Sequence, residues 1–130
     1  MIHGVARVLI TRPLPGAPER LLREAGHEAT VRDAELPPDA EELRALAGDL
    51  EPEGLLCLLT ERVDAALLDA APSIRAVANM AVGTDNIDLA ECERRGIVVG
   101  NTPGVLTEAT ADLAFALLLA CARNLIAAEA

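Results

Sequence analysis

No lysine occurs in the sequence, and all eleven of its basic residues are arginine. That excludes a phosphate loop, which needs a Gly-Lys-Ser/Thr step. It also excludes a phosphate-accepting receiver domain, which needs a late lysine and clustered acids after its first strand; here the first strand runs into Thr11-Arg12. No Gly-x-Gly is present, so the dinucleotide-binding fingerprint is missing as well. Tryptophan and tyrosine are absent, and the one aromatic residue, Phe115, lies inside an apolar run, which leaves a flavin without a ring to stack on. Twenty-one acids outnumber the arginines and set the net charge at -10. A nucleic-acid partner needs a basic face that releases counterions, so none is expected.

Cysteine is scarce too. Cys57, Cys92 and Cys121 are far apart, odd in number and never paired as Cys-x-x-Cys, which excludes a disulfide framework and a zinc site. No metal is expected, and a reducing cytoplasm fits best. The amino terminus has no basic segment followed by an apolar run, so it does not read as a signal peptide. The longest apolar run, Leu113 to Ala122, is half of the ~20 residues that a membrane span needs. It reads as a buried helix, and no membrane partner is expected.

What is present is a 130-residue chain, 52% hydrophobic, long enough for one domain with a real core. Short apolar runs alternate with helix-like segments. VARVLIT (5–11), HEATVR (27–32), GLLCLLT (54–60), IRAVANM (74–80) and IVVGNT (97–102) read as strands, HEATVR as an edge. PERLLREAG ends its helix at Gly26, and DAEELRALA follows Pro37-Pro38 with acids in its first turn. RVDAALLDAA and NIDLAECERRG, the latter ended by Gly96, supply two more helices. A final one starts near Leu106 and runs to the end. Parallel neighbours need crossover connections, so this alternation predicts an α/β fold: a flavodoxin-like parallel five-stranded sheet, order 2-1-3-4-5, with helices on both faces. The last helix is apolar on nearly every side, and a second domain or a partner chain is expected to cover it.

Ligands of such sheets bind beyond the carboxyl ends of the strands, at TRPLPG, TERV, AVGTDN and NTPGVLTEAT. His3, near the terminus, and His27, opening an edge strand, lie at none of these corners and are expected to be structural. In AVGTDNID, Gly83 permits a tight turn, Asp85 suits a helix N-cap, and Asp88 three residues on resembles a capping box. Free N–H groups around Val82 and Gly83, near a helix N-terminus, can form a nest for a carboxylate or phosphate. Pro103 and Gly104 break the chain after the fifth strand, and Thr107 stands at the start of the last helix, where a hydroxyl can cap it.

VANMAVGTDNIDL (77–89), RRGIVVGNTPGVLTEATADLAFALLLACAR (94–123) and RVLITRPLPG (7–16) together resemble the D-2-hydroxyacid dehydrogenase family, and most closely its glyoxylate/hydroxypyruvate reductase branch. The resemblance implies a two-domain enzyme that uses NAD or NADP to reduce a small 2-oxoacid, and a homodimer as a full-length protein. Residues 1–103 then form the substrate-binding domain, and 104–130 the hinge and long interdomain helix leading to a nucleotide-binding domain. The amides of Val82 and Gly83 would hold the substrate carboxylate. Asn79 would shape the pocket or serve structure alone, Thr60 and Glu61 would border the cleft, and Thr107 would lie on its nicotinamide side or cap its helix. The family's glycine-rich loop and its catalytic arginine, glutamate and histidine match nothing here. No catalytic residue is therefore expected in this chain, and by itself it should be inactive. The other reading is a stand-alone flavodoxin-like module that binds carboxylates or partner proteins without catalysis.

Overall fold

A computed structural model describes residues 4–124. Strands β1 (Arg7–Ile10), β2 (Glu28–Val31), β3 (Gly54–Cys57), β4 (Ala76–Asn79) and β5 (Val98–Gly100) form one parallel sheet in the order β2-β1-β3-β4-β5. Helices α1 (Pro18–Glu24), α2 (Ala40–Leu50), α3 (Ala65–Ala70) and α4 (Leu89–Arg95) make the crossovers, and α5 (Thr107–Ala122) follows β5. Of the orders open to five such strands, this is the flavodoxin-like one.

Register decides which residues meet. Leu9, Leu55, Val77 and Val99 are successive partners across β1, β3, β4 and β5. This row faces α2, α3 and α4, and packs with Leu43, Ala47, Leu67, Leu68 and Cys92 into the main core. Fully burying a leucine contributes about 1.5–3 kcal/mol, so this face carries most of the stability. The alternate rows, Val8–Gly54–Ala76–Val98 and Ile10–Leu56–Ala78–Gly100, point to the other face. Among the described residues only α1 stands there, and Pro18, Leu21 and Leu22 border an open apolar trough of about 500 Å³ over those rows. The two-sided cover expected of β3 is thus half realised: Leu55 and Cys57 are buried, whereas Leu56 and Leu58 are only half-buried.

Helix ends follow the sequence in most places. Asp39 and Asp64 cap α2 and α3 with their carboxylates, and Gly26 and Gly96 adopt the left-handed conformation at the ends of α1 and α4. One expectation changes. Helix α4 starts at Leu89 rather than Asn86, and its cap is Asp88, which accepts from the Glu91 amide at 2.9 Å. Asp85 caps nothing, because the Ile87 amide already closes a turn onto the Thr84 carbonyl. Helix α5 starts where expected and buries none of its described residues, so the second domain or partner chain expected to cover it is not supplied by them. Leu113, Phe115 and Leu118 are each more than 60% exposed, so nothing among the described residues covers the helix. Its expected continuation over 125–130 lies outside the described residues, as does His3. His27 is structural: its Nδ1 accepts from the Ala6 amide at 3.2 Å, at the opposite end of the sheet from the corners.

Candidate functional site at the carboxyl ends of β3 and β4

The corners after β3 and β4 and the start of α5 enclose a cleft of about 410 Å³, lined by Leu59, Met80, Ala81, Val82, Gly83, Asp85, Asn86 and Leu106. Val82 and Gly83 thus line the opening, while Asn79, Thr60 and Thr107 are chain neighbours of the lining residues Met80, Leu59 and Leu106. The larger trough on the α1 face is walled by apolar side chains and has nothing to orient a polar ligand. The cleft is smaller, but it has directed donors.

Those donors come from the turn after β4. The Ala81 carbonyl accepts from the Thr102 amide at 2.9 Å, the Val82 carbonyl from Asn101 Nδ2 at 2.8 Å, and the Gly83 carbonyl from Asn79 Nδ2 at 3.0 Å. Three successive carbonyls are drawn back into the protein. The N–H groups of Val82 and Gly83 have no acceptor among the described residues. Two adjacent uncommitted amides make a short anion-binding nest of turn geometry. Helix α4 begins well beyond them, so the donors belong to the turn and not to a helix N-terminus as the sequence suggested. Gly83 does not have a positive φ. What it provides is room, since a Cβ there would lie 3.3 Å from Asp85 Oδ2. Among the described residues, that carboxylate is the one ionisable side chain lining the cleft.

Asn79, the last residue of β4, is only 2% exposed. Its Oδ1 accepts from the Cys57 thiol at 3.6 Å, and its Nδ2 donates to both the Gly83 carbonyl and Asn86 Oδ1, each at 3.0 Å. Burial, reinforced by the nearby Glu61 carboxylate, pushes the Cys57 thiol up to about 12 from an ordinary value of 9.0, so it stays protonated and keeps donating.

Thr60 is exposed at the mouth, while Glu61 beside it turns inward and is 1% exposed. Glu61 Oε2 accepts from Thr11 Oγ1 at 3.0 Å and from the Leu58 amide at 2.7 Å. Its Oε1 accepts from Thr60 Oγ1 at 2.7 Å and pairs with the Arg12 guanidinium at 3.0 Å. Thr60 also accepts from Arg12, whose Nε is buried without a partner among the described residues. Glu61 therefore fixes the corner from beneath instead of lining the cleft. Thr107 is the first residue of α5, not its cap. The cap position is Leu106, with no side-chain hydrogen bond, and the Thr107 hydroxyl is exposed and has no partner among the described residues.

Sequence reasoning missed Asn86. Its Nδ2 donates to the Leu58 carbonyl at 3.1 Å and to the Glu61 carbonyl at 2.8 Å, while its own backbone carbonyl takes the Val63 amide at 2.9 Å. An Asn close between two aspartates looks like ordinary turn chemistry; only the three-dimensional meeting of the two corners reveals its partners.

Residues 8–128 match the family model described as D-isomer specific 2-hydroxyacid dehydrogenase, catalytic domain. A glyoxylate reductase from Thermococcus litoralis is 44% identical over 124 residues, covering 95% of this chain and 37% of that protein. One from Thermococcus kodakarensis is 48% identical over 124 residues, covering 95% and 36%. Among solved structures, the TT0316 protein from Thermus thermophilus is similar with a TM-score of 0.85 and 43% identity, over 95% of this chain and 39% of that one. The chain thus spans a little over a third of the length of the curated relatives it matches.

Proposed function

The chain belongs to the D-isomer specific 2-hydroxyacid dehydrogenase family, and we propose that it supplies the substrate-carboxylate wall of an NAD- or NADP-dependent reductase of small 2-oxoacids such as glyoxylate or hydroxypyruvate. In this reading residues 1–103 are the substrate-binding domain, and 104–130 are the hinge and first helix leading toward a nucleotide-binding domain. The observation that carries it is the turn Ala81–Gly83, with three carbonyls tied back and the Val82 and Gly83 amides uncommitted at a cleft.

A 2-oxoacid pairs a carboxylate with an adjacent carbonyl. Two neighbouring amides donate to the carboxylate oxygens, fix the plane of the molecule, and leave C2 facing the open side of the cleft. Holding the reactant in one orientation is a large share of what a site can contribute to a bimolecular transfer. A nicotinamide held by the nucleotide-binding domain would supply the hydride for C2, and the proton that completes the D-2-hydroxyacid would come from that domain, since no residue of this chain is assigned to it. The residues on this chain bind and orient: Asn79 shapes the turn, Thr60 borders the mouth, and Thr107, with a free hydroxyl beside Leu106, fits the nicotinamide side. The Asp85 carboxylate close to Gly83 disfavours a second negative charge, which suits monocarboxylates over dicarboxylates.

The exposed α5 favours this reading over a stand-alone binding module. A finished module has little reason to leave Leu113, Phe115 and Leu118 open to water, whereas an interdomain helix or the contact between two subunits of a homodimer would bury them. The test is to assay the chain alone, and joined to the remaining two-thirds of a relative, with glyoxylate and NADH or NADPH. The joined protein should turn over glyoxylate and lose activity when the turn is disrupted. Turnover by the chain alone would overturn the division of labour.

A further inference from the structure

The turn that bears the free amides follows β4, and the corner that borders it follows β3. The two are separate loops, and what sets the distance between them decides the width of the site. Three hydrogen bonds of one side chain span that gap. Asn86 Nδ2 donates to the Leu58 and Glu61 carbonyls on the β3 side, and Asn86 Oδ1 accepts from Asn79 Nδ2 on the β4 side. Asn79 in turn holds the Gly83 carbonyl. Both ends of the Asn86 amide are used, and only an amide can do this: one end must donate twice while the other accepts. The backbone adds an isolated parallel bridge between Val63 and Ile87 on either side of the same seam. Beneath it, Glu61 is locked by Thr11, Leu58, Thr60 and Arg12, so the β3 side of the clamp is rigid.

We propose that Asn86 is a positioning residue: its side chain clamps the Leu58–Glu61 corner to the Ala81–Gly83 turn and so holds the Val82 and Gly83 amides in anion-accepting geometry. The ligand-binding half of this statement rests on the carboxylate reading above; the geometric half does not. Asn86 need not touch the ligand. It acts through Asn79 and Gly83 on one side, and through the corner next to Thr60 on the other. An Asp in its place would accept from Asn79 as before but would set a carboxylate against two carbonyl oxygens, and so would open the clamp without changing side-chain size.

The experiment compares the wild-type chain with Asn86→Asp, Asn86→Ala and, as a control, Asp64→Ala, which removes the cap of α3 but no member of the clamp. Backbone amide relaxation is measured over residues 81–85, followed by titration with oxamate and with glyoxylate, both monocarboxylates. Both Asn86 variants should loosen the turn while β4 stays ordered, and should weaken carboxylate binding about tenfold, the effect of losing one or two net hydrogen bonds. The control should lower the melting temperature and leave the turn and the affinity unchanged. If Asn86→Asp keeps the turn as ordered as wild type, or if Asp64→Ala loosens it equally, the clamp is refuted, whatever the ligand. If the turn loosens as expected but the wild-type amides of Val82 and Gly83 ignore both carboxylates, the clamp stands and the carboxylate reading fails.

Discussion

Asn79 Nδ2 donates to the carbonyl oxygen of Gly83 at 3.0 Å, from a side chain that is all but sealed from solvent. This bond turns a strand residue into a support for the turn that follows it. The carbonyl is held inward, so the peptide plane is fixed and the free donors before it face the cleft.

Replacing Asn79 by Ala removes four hydrogen bonds at once and leaves the Gly83 carbonyl and the Asn86 amide oxygen without their donor. An unsatisfied buried polar group costs about 1–3 kcal/mol. Urea denaturation should show a loss in that range for Asn79→Ala, and Asn79→Asp should be no better, since it keeps the acceptor for Cys57 but loses the donor. A stability equal to wild type in both would mean that the network contributes nothing.

The Arg12–Glu61 pair lies beneath the β3 corner, with Glu61 fully covered and Arg12 nearly so. Removing one partner of a buried pair strands the other; measured costs run to about 3–5 kcal/mol. Arg12→Ala should approach the lower end, because Thr11, Thr60 and the Leu58 amide still solvate the carboxylate. Replacing both residues by apolar ones of similar size should recover part of the loss in a double-mutant cycle.

Cysteine chemistry should separate by position. Burial raises the Cys57 thiol, with Glu61 adding to the effect, and burial also raises Cys92, with Asp88 and Glu91 adding and Arg95 opposing. Cys121 is exposed. Iodoacetamide at mildly alkaline pH should label Cys121 in the folded chain and reach the other two only on unfolding. The linkage follows in sign: below pH 9 the Cys57 thiol is protonated in both states and its contribution is fully present. Above that pH the unfolded thiol ionises first, the unfolded state binds fewer protons, and stability falls until the folded thiol ionises near 12. Denaturant midpoints should therefore decline from about pH 9 upward, and Cys57→Ser should shift the decline.

Helix α5 exposes apolar side chains around its whole circumference. Sedimentation of the chain should show association that rises with concentration, and replacing Leu113, Phe115 and Leu118 by Ser should suppress it without lowering the stability of the sheet domain. A monomer at all concentrations would show that the helix finds cover within this chain.

Much of the fold was legible because the signals are local or periodic. Continuous apolar runs marked β1 and β3, and Gly26 and Gly96 marked helix ends where a left-handed residue is needed. Aspartates at 39 and 64 preceded helices they do cap. Asp85 and Asp88 were harder, since both suit a cap and only the closing of the turn at Thr84–Ile87 decides between them. The turn around Val82 and Gly83 was visible as a possible nest, but what makes it one, the anchoring of three carbonyls by Asn79, Asn101 and Thr102, depends on pairings across 4 to 21 positions that no pattern within the turn contains. The same holds for Arg12 and Glu61, which meet only because β1 and β3 are neighbours. The apolar composition of α5 calls for cover from a second domain or a partner chain, and a sequence pattern reports that need without naming what meets it.

The most direct test of the central claim is an amide-resolved titration of this chain with glyoxylate. Selective, saturable shifts of the Val82 and Gly83 N–H resonances, lost with Asn79→Ala and unaffected by Asp64→Ala, are the predicted result. Shifts spread over arginine-bearing surfaces, or none at those two amides, would contradict it.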